Sequence, residues 1–276
     1  MRYLVFAAFM LGACASAPAS LPDASSVIGA ERAFAMRAGE IGWVPAFREF
    51  VAPDGQLAGQ GGYADAPQQL AATSDDGVRT LFWWPAFAAI SRSGDFGFTT
   101  GPVSFDEART PRGHYFTVWR LQPDGTWKWI YDGGVGPIAE PALIEPDAPA
   151  VPMAPTSADG EPSADAAIAA VSMHERSGDF VGRLAPDAQV FRTRQPRRVG
   201  SEAGPAFSEP AGVSYRASRI EASSGGDLVM VLGEASWTAD GQERQGLYAR
   251  MWQHRPGGWR IIYDQLILPR PSPPPG

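Results

Sequence analysis

The apolar and polar positions of this chain follow one pattern written twice. From Gly94 to Gly134 the sequence is GDFGFTTGPVSFDEARTPRGHYFTVWRLQPDGTWKWIYDGG, and from Gly226 to Leu266 it is GDLVMVLGEASWTADGQERQGLYARMWQHRPGGWRIIYDQL. Gly94, Asp95 and Gly101 meet Gly226, Asp227 and Gly233 at an offset of 132. Tyr115 and Trp119 meet Tyr248 and Trp252, and Pro123, Trp127, Tyr131 and Asp132 meet Pro256, Trp259, Tyr263 and Asp264, with one-residue shifts confined to turns. A repeat this long marks a duplicated domain, because solenoid units recur every ~20–50 residues.

Inside each copy the runs read as strands joined by hairpin turns. TLFWWPAFAAIS and FGFTTGPVSF flank Arg92-Ser93-Gly94-Asp95, and HYFTVWRLQ and WKWIYDG flank Pro123-Asp124-Gly125-Thr126. The second copy offers YRASRIEAS, LVMVLGEASW, LYARMWQH and WRIIYDQLIL, with turns at Ser224-Gly225-Gly226 and Pro256-Gly257-Gly258. Pro85 inside the first run implies an edge position or a bulge, since it brings no N–H to a ladder.

Helical patterns precede the strands. A helix is expected from about Ser26, with Ile28, Phe34 and Met36 as its apolar positions, although these form no single stripe. WVPAFREFV places Val44, Phe47, Phe50 and Val51 on one helical face, and Ala52-Pro53-Asp54-Gly55 reads as the turn that follows. In the second copy, Ile168, Val171 and Met173, then Phe180 and Leu184, lead to Ala185-Pro186-Asp187, which matches Ala52-Pro53-Asp54. The duplication therefore spans helices and strands, an α+β layout.

The segments outside the repeats have another composition. The start MRYLVFAAFMLGACAS has one charge, Arg2, then an apolar run to Leu11 too short for a permanent span. Leu11-Gly12-Ala13 precedes Cys14, the sole cysteine, in the arrangement of a bacterial lipobox, and Ala15 rather than Asp follows it. This predicts cleavage, acylation of Cys14 and sorting to the outer membrane of a Gram-negative cell, facing the periplasm. With no other cysteine the mature chain has no internal disulfide, and packing must stabilise it. The expected organisation is a signal peptide over 1–13, a flexible tether over 14–30, a first domain over 31–136, a Pro/Ala-rich linker over 137–162, a second domain over 163–268 and a Pro-rich tail over 269–276. A net charge of −7 with no basic run argues against nucleic acid as a partner.

Two short helices, a first strand and long antiparallel hairpins resemble the nuclear-transport-factor-2-like superfamily, which includes ketosteroid isomerase and SnoaL-like proteins. Gly94 to Pro102, Tyr115 to Arg120, and Gln122 to Lys128 with Asp132 carry the likeness over about 31–135. In the second copy Val229-Met230-Val231-Leu232-Gly233 replaces Phe-Thr-Thr-Gly. The resemblance implies two tandem cone-shaped α+β barrels, each with N-terminal helices packed on a curved antiparallel sheet. It also implies an apolar pocket under the helices, and many members without catalysis.

Candidate chemistry is sparse. His114, His174 and His254 lie in different elements without metal-ligand spacing, so neither a metal nor a cofactor is expected. Asp132 and Asp264 recur. A hairpin register with Gln122 opposite Trp127 puts Trp119 opposite Ile130 and Thr117 opposite Asp132, with Tyr115 diagonal to it; Arg255 opposite Trp259 puts Arg250 opposite Asp264. Asp264 then has a cation and Asp132 has none, which makes Asp132, with Tyr115, a weak candidate for a general base of raised pKa. A repeated Asp suits a fold role, so the structural reading is preferred, with a loss of stability expected from Asp132→Asn. Trp83, Trp84, Phe87, Phe98, Phe116, Trp119 and Trp129 are core or pocket aromatics. The pocket candidates are Trp84, Phe98, Tyr115, Trp119, Asp132, Tyr248, Trp252 and Asp264. The leading function is a lipid-anchored, non-enzymatic binding or scaffolding module for a small apolar ligand or an envelope partner, monomeric with its halves packed as an internal pseudo-dimer. The alternative is an isomerase, dehydratase or hydrolase using Asp132.

Overall fold

The computed structural model describes residues 22–59, 62–75, 77–137, 145–146, 148–156 and 160–268. The expected signal peptide over 1–13, Cys14 and the expected tail from 269 lie outside the described residues. In the first half, α1 (Ser25–Ile41) and α2 (Trp43–Phe50) lead into β1 (Val51–Gly59), β2 (Gly62–Asp65) and α3 (Ala66–Ala72). Then come β3 (Phe82–Trp83), β4 (Phe87–Ile90), β5 (Phe96–Ser104), β6 (Gly113–Leu121) and β7 (Trp127–Val135). β8 (Val151–Pro152) lies between the halves. The second half has α4 (Ala164–Ser177), β9 (Leu184–Arg192), β10 (Arg198–Val199), β11 (Ser214–Ala222), β12 (Leu228–Ala239), β13 (Gln242–Arg255) and β14 (Gly258–Ile267), with 3-10 turns at Val181–Arg183 and Gly200–Ser208.

Each half is the α+β unit that the pattern predicts: helix first, then a sheet across which the helix packs. The sheet orders are β2-β1-β7-β6-β5-β4-β8, with β3 also on β5, and β10-β9-β14-β13-β12-β11. Both are mixed rather than purely antiparallel, because β1 runs parallel to β7, β9 to β14 and β4 to β8. In β1·β7 and β9·β14 the strand that follows the helices lies beside the last strand of its half, whereas β8 adds to the β4 edge from between the halves.

Several local expectations change. α1 begins at Ser25, inside the stretch read as tether, and Asp23 Oδ1 accepts the Ser25 N–H at its start (3.0 Å). Its buried positions are Val27, Glu31, Phe34 and Ala38, a stripe at helical spacing, whereas Met36 is 64 % exposed. On α4 the buried positions are Ala167, Val171 and Glu175, and Met173 is 59 % exposed. The Ala52–Gly55 stretch is not a turn but part of β1, where the pairing with β7 is irregular between Val51 and Gln56. The 80–91 run splits into β3 and β4 around Pro85. Part of the expected linker forms β8 along the β4 edge. The first half also has α3, which begins where Asp65 Oδ1 accepts the Gln68 N–H (2.8 Å). The second half has 3-10 turns where the first has α2 and α3.

The layers run helices, first sheet, second sheet, helix. Phe98, Phe116, Val118 and Tyr131 from one sheet pack with Met230, Leu232, Met251 and Tyr263 from the other. Phe116 stacks on Tyr263 with centroids 4.0 Å apart and planes at 9°. At one end of this contact the repeated Gly-Asp turns exchange bonds: the Arg92 N–H donates to Asp227 (2.7 Å) and the Ser224 N–H to Asp95 (3.2 Å). Arg92 and Ser224 are equivalent positions, so the contact is reciprocal, as a two-fold interface requires. The repeated glycines have a steric reason. A Cβ on Gly101 would lie 2.0 Å from the Trp84 carbonyl oxygen, and one on Gly233 2.4 Å from that of Arg216, because the neighbouring strand crosses closely there.

Candidate functional site

Both halves bury a carboxylate from their first helix against the same face of their sheet. In the first half it is Glu31, fully buried. It accepts from Trp83 Nε1 (2.5 Å), from Trp119 Nε1 (2.9 Å) and from the Thr99 hydroxyl. The helix stripe places it there: Glu31 lies one turn from Val27 and Phe34, which the sheet must cover, so its carboxylate goes down with them. Burial pushes its pKa up, and the hydrogen bonds from Thr99, Trp83, Trp119 and Thr117 only partly offset this.

Asp132 joins this cluster from β7. It lies opposite Thr117, whose hydroxyl donates to Asp132 Oδ2 at 2.7 Å. Part of the residue's surface still reaches solvent, yet protein surrounds the carboxylate closely. Burial pushes its pKa up to about 8, Thr117 opposes the shift, and Glu31 adds to it. Tyr115 is buried beside Thr99, and its hydroxyl lacks a well-formed hydrogen bond. The cluster thus has two mutually repelling carboxyl groups and uncharged donors, an arrangement that retains protons.

The second half answers the same problem with arginine. Glu175 accepts from the Tyr248 hydroxyl (3.0 Å), Trp252 Nε1 (2.7 Å) and Arg250 Nη1 (2.9 Å). Arg250 Nε donates to Asp264 Oδ2 (2.6 Å), and Arg192 Nη1 forms an ion pair with Oδ1 at 2.6 Å. The Arg250 guanidinium lies 3.9 Å from the Phe180 ring centre. By strand position Arg192 replaces Gly59 and Arg250 replaces Thr117. Two acids balanced by two cations therefore correspond to two acids with no cation.

The register argument reaches the right aspartate pairs by the wrong route. Thr117 faces Asp132 and Arg250 faces Asp264, but Trp119 faces Trp129 rather than Ile130. Leu121 faces Trp127 and Arg255 faces Gly258, one residue off at each turn, and a bulge at Val118/Trp119 or Met251/Trp252 restores the count.

The structure brings Tyr115 and Trp119 together under α1 and α2 with Phe34, Phe47, Trp83 and Trp129, and puts Tyr248 and Trp252 in the matching layer. Phe98 lies on the other face, between the sheets. Trp84 is buried near the β5 edge, its N–H donating to the Pro102 carbonyl (3.4 Å). Glu31 and Glu175 are the buried acids of the two clusters that the sequence reading missed. The available signal was an acid in register with an apolar helical stripe, in both copies.

Two cavities border the second half. One of about 270 Å³ is lined by Arg192, Gln195, Glu209, Pro210, Leu266 and Leu268. One of about 440 Å³ is lined by Leu184, Pro186, Val199, Ser201 and Glu202. Among the described residues no group of His, Cys, Asp and Glu side chains is placed to hold a metal, and no helix is long and apolar enough to cross a membrane.

By sequence, the chain matches no family model and no curated protein. Solved structures similar to it include an NTF2-like protein of unknown function from Pseudomonas putida KT2440, at 15 % identity and a TM-score of 0.33, covering 40 % of this chain and 92 % of that one. A ketosteroid isomerase-like protein from Erwinia carotovora atroseptica is similar at 17 % identity and a TM-score of 0.30, covering 38 % and 96 %. A SnoaL-like protein from Jannaschia sp. CCS1 is similar at 14 % identity and a TM-score of 0.30, covering 40 % and 90 %.

Proposed function

We propose that this chain is a non-catalytic binding or scaffolding module held on the outer membrane, facing the periplasm, by acylated Cys14. The observation that carries the non-catalytic reading is the filling of the first half. Phe34 packs on Phe47, Trp83 and Trp119 with ring centres 4.7, 4.9 and 5.9 Å apart, directly over Glu31. A carboxylate that accepts from two indoles and a hydroxyl is tied into the core as a structural hub. The anchor rests on Leu11-Gly12-Ala13-Cys14. Native mass spectrometry of the chain extracted from envelopes tests both parts. An acylated chain carrying a small molecule or an envelope protein is the expected result. A bare, unacylated chain would remove the proposal.

One observation favours a second reading. Asp132 is short of a cation, partly open to solvent and pushed up to about 8, which suits a general base in an isomerase, dehydratase or hydrolase. Turnover by the wild type that is lost in Asp132→Asn would establish that reading over the first.

A further inference from the structure

The two halves present the same sheet edge, and only one of the two is covered. In the first half β8 lies along β4. Val151 pairs with Phe87 in parallel, and the Val151 and Met153 N–H groups donate to the Ala86 and Ala88 carbonyls (both 2.8 Å). Pro152, which has no N–H to give, stands between them. In the second half β11 is the edge, and among the described residues no strand pairs with its outer side. The registers make the two edges equivalent: Phe87↔Thr100 to Ile90↔Gly97 correspond to Arg219↔Leu232 to Ala222↔Val229, at the repeat offset of 132. The Ser223 N–H donates to the Leu228 carbonyl (2.9 Å), as the Ser91 N–H does to that of Phe96 (2.8 Å). By antiparallel alternation Arg219 and Glu221 then bond toward β12, and Ile220 and Ala222 turn their backbone groups to the open side. Ala88, Ala89 and Ile90 are buried, whereas Ile220, Glu221 and Ala222 are partly exposed.

The covering segment also shows where an added strand continues. Beyond β8 it crosses to the other half. The Ala154 N–H donates to Asp187 (3.1 Å), Arg255 Nη2 donates to the Ala154 carbonyl (3.4 Å), and the Thr156 hydroxyl donates to the His254 carbonyl (2.9 Å). Asp54 and Leu121 stand in the first half where Asp187 and His254 stand in the second. The Leu121 N–H donates to the Asp95 carbonyl just as the His254 N–H donates to that of Asp227 (both 2.8 Å). The open edge therefore runs on into the interface between the halves, toward Asp54. What lines the two edges differs. Ala89 and Met153 share the apolar inter-sheet core. At the equivalent place Glu221 pairs with Arg120 (3.1 Å) and Arg219 with Asp54 (3.0 Å). Cations and acids balance there, so neutral polar side chains suit that side of an added strand. Its other side meets Ile220 and Ala222, which pack against the cluster that holds Val171 of α4.

We infer that the β11 edge takes up, by strand addition, an extended proline-containing segment of an envelope protein, parallel to β11 and with neutral polar residues on both sides of the proline. Its N–H groups donate to the Ser218 and Ile220 carbonyls, and it runs on to Asp54. This deepens the scaffolding reading above and rests on it. The test titrates the full mature chain, with Cys14→Ser so that no detergent is needed, against four peptides. They are ASPQAPT, the same peptide N-methylated at its serine and glutamine, AVPMAPT, which is residues 150–156 of this chain, and PRPSPPPG, which is residues 269–276. Resonances and hydrogen exchange of the Ile220 and Ala222 amides report binding. ASPQAPT is expected to slow exchange at Ile220 at least about tenfold. It should bind at least about fivefold more tightly than AVPMAPT, whose apolar side chains meet the charged pairs. The N-methylated peptide should not bind, and Asp54→Asn should weaken ASPQAPT about threefold. No protection at Ile220, equal binding of the N-methylated peptide, or equal affinity for AVPMAPT overturns the assignment. Tighter binding of PRPSPPPG gives the edge to the chain's own tail, and a homodimer that protects Ile220 without peptide gives it to a second copy; either result overturns the proposed occupant. An envelope protein that stays on the native chain in excess ASPQAPT leaves the scaffolding reading standing without this site. Peptide binding by a chain that carries no envelope protein in its native state removes the scaffolding reading and the proposed occupant with it.

Discussion

Arg250 stands in the second half where Thr117 stands in the first, each directly across a strand pair from an aspartate. That exchange, together with Arg192 in place of Gly59, separates an internally neutralised ion cluster from a carboxyl pair that keeps its protons. The consequences are energetic, and they can be measured without a known substrate.

The first concerns Asp132. Its ordinary pKa is 3.8, and in the folded chain it is pushed up to about 8. Between those values the folded state binds more protons than the unfolded state. The stability from this group is therefore fully present below about pH 4, falls as pH rises, and is gone above about pH 8. Asp132→Asn cannot ionise and still offers an oxygen to Thr117. It should flatten that slope and raise the melting temperature at pH 8 by roughly 2–4 °C, the equivalent of about 1 kcal/mol in a chain of this size, since solvent screens part of the effect. This reverses the sign that a purely structural aspartate implies. Thermal unfolding of both proteins at pH 5 and pH 8 decides it, and a lower melting temperature for the variant at pH 8 would contradict it.

In the second half the sign is opposite. Arg250→Met strands Glu175 in the core and leaves Asp264 with Arg192 alone, and breaking a buried pair in this way costs about 3–5 kcal/mol. Arg250→Thr combined with Glu175→Gln, which removes the stranded charge and keeps Asp264 paired with Arg192, should recover most of the loss. Urea unfolding of the single and double variants tests this. A single variant within about 1 kcal/mol of wild type would mean that the cluster is not tightly coupled.

Glu31 yields a comparison between two substitutions. Glu31→Gln keeps one oxygen but turns its NH₂ toward the indole N–H that the other oxygen served, so it should cost roughly 1–3 kcal/mol. Glu31→Leu leaves the Trp83 and Trp119 N–H groups and the Thr99 hydroxyl without an acceptor, at roughly 1–3 kcal/mol each. Equal costs for the two variants would show that the carboxylate is not the acceptor of these bonds.

Much of this was legible in the sequence. The aligned Gly, Tyr, Trp and Asp positions gave the duplication, and their causes are now visible in the close strand crossings at Gly101 and Gly233. The opposition of Thr117 to Asp132 could be counted because the turn slip and the bulge cancel. Glu31 was hidden by convention: a charged residue is discarded when an apolar stripe is sought, and without it Val27, Phe34 and Ala38 look incomplete. The cavity at Arg192 could not be read at all. It depends on Leu266, Glu209 and Gln195 converging from three separate segments, and no local pattern encodes that convergence.

Anchoring is testable from the sequence alone, since Cys14 lies outside the described residues. Acyl chains add ~0.8 kcal/mol per buried CH₂, and several together hold a protein stably. Cys14→Ser should block lipidation and normal maturation and release the chain from membranes. Mass spectrometry of the mature wild type should show Cys14 acylated at its new N-terminus. An unmodified chain beginning elsewhere removes the anchor.

The last prediction concerns assembly. The inter-sheet layer joins Phe116 to Tyr263, lets Gln265 Nε2 donate to the Tyr131 hydroxyl (2.9 Å), and lets the Tyr63 hydroxyl donate to the Tyr248 carbonyl (2.5 Å). These contacts cover on each sheet the face that would otherwise be free to pair with a second chain. The expected solution state is a monomer by light scattering, with one cooperative unfolding transition in place of two. Tyr263→Ala removes the stacked ring and the hydroxyl that donates to Gln265 (2.9 Å). It should cost about 3–5 kcal/mol, as large-to-small aromatic changes in cores do, and split the transition as the halves uncouple. Limited proteolysis should cut the wild type first between Pro137 and Pro162, and the cut chain should keep its halves together until it is denatured. A stable homodimer, or two transitions in the wild type, would show that the halves do not form one unit.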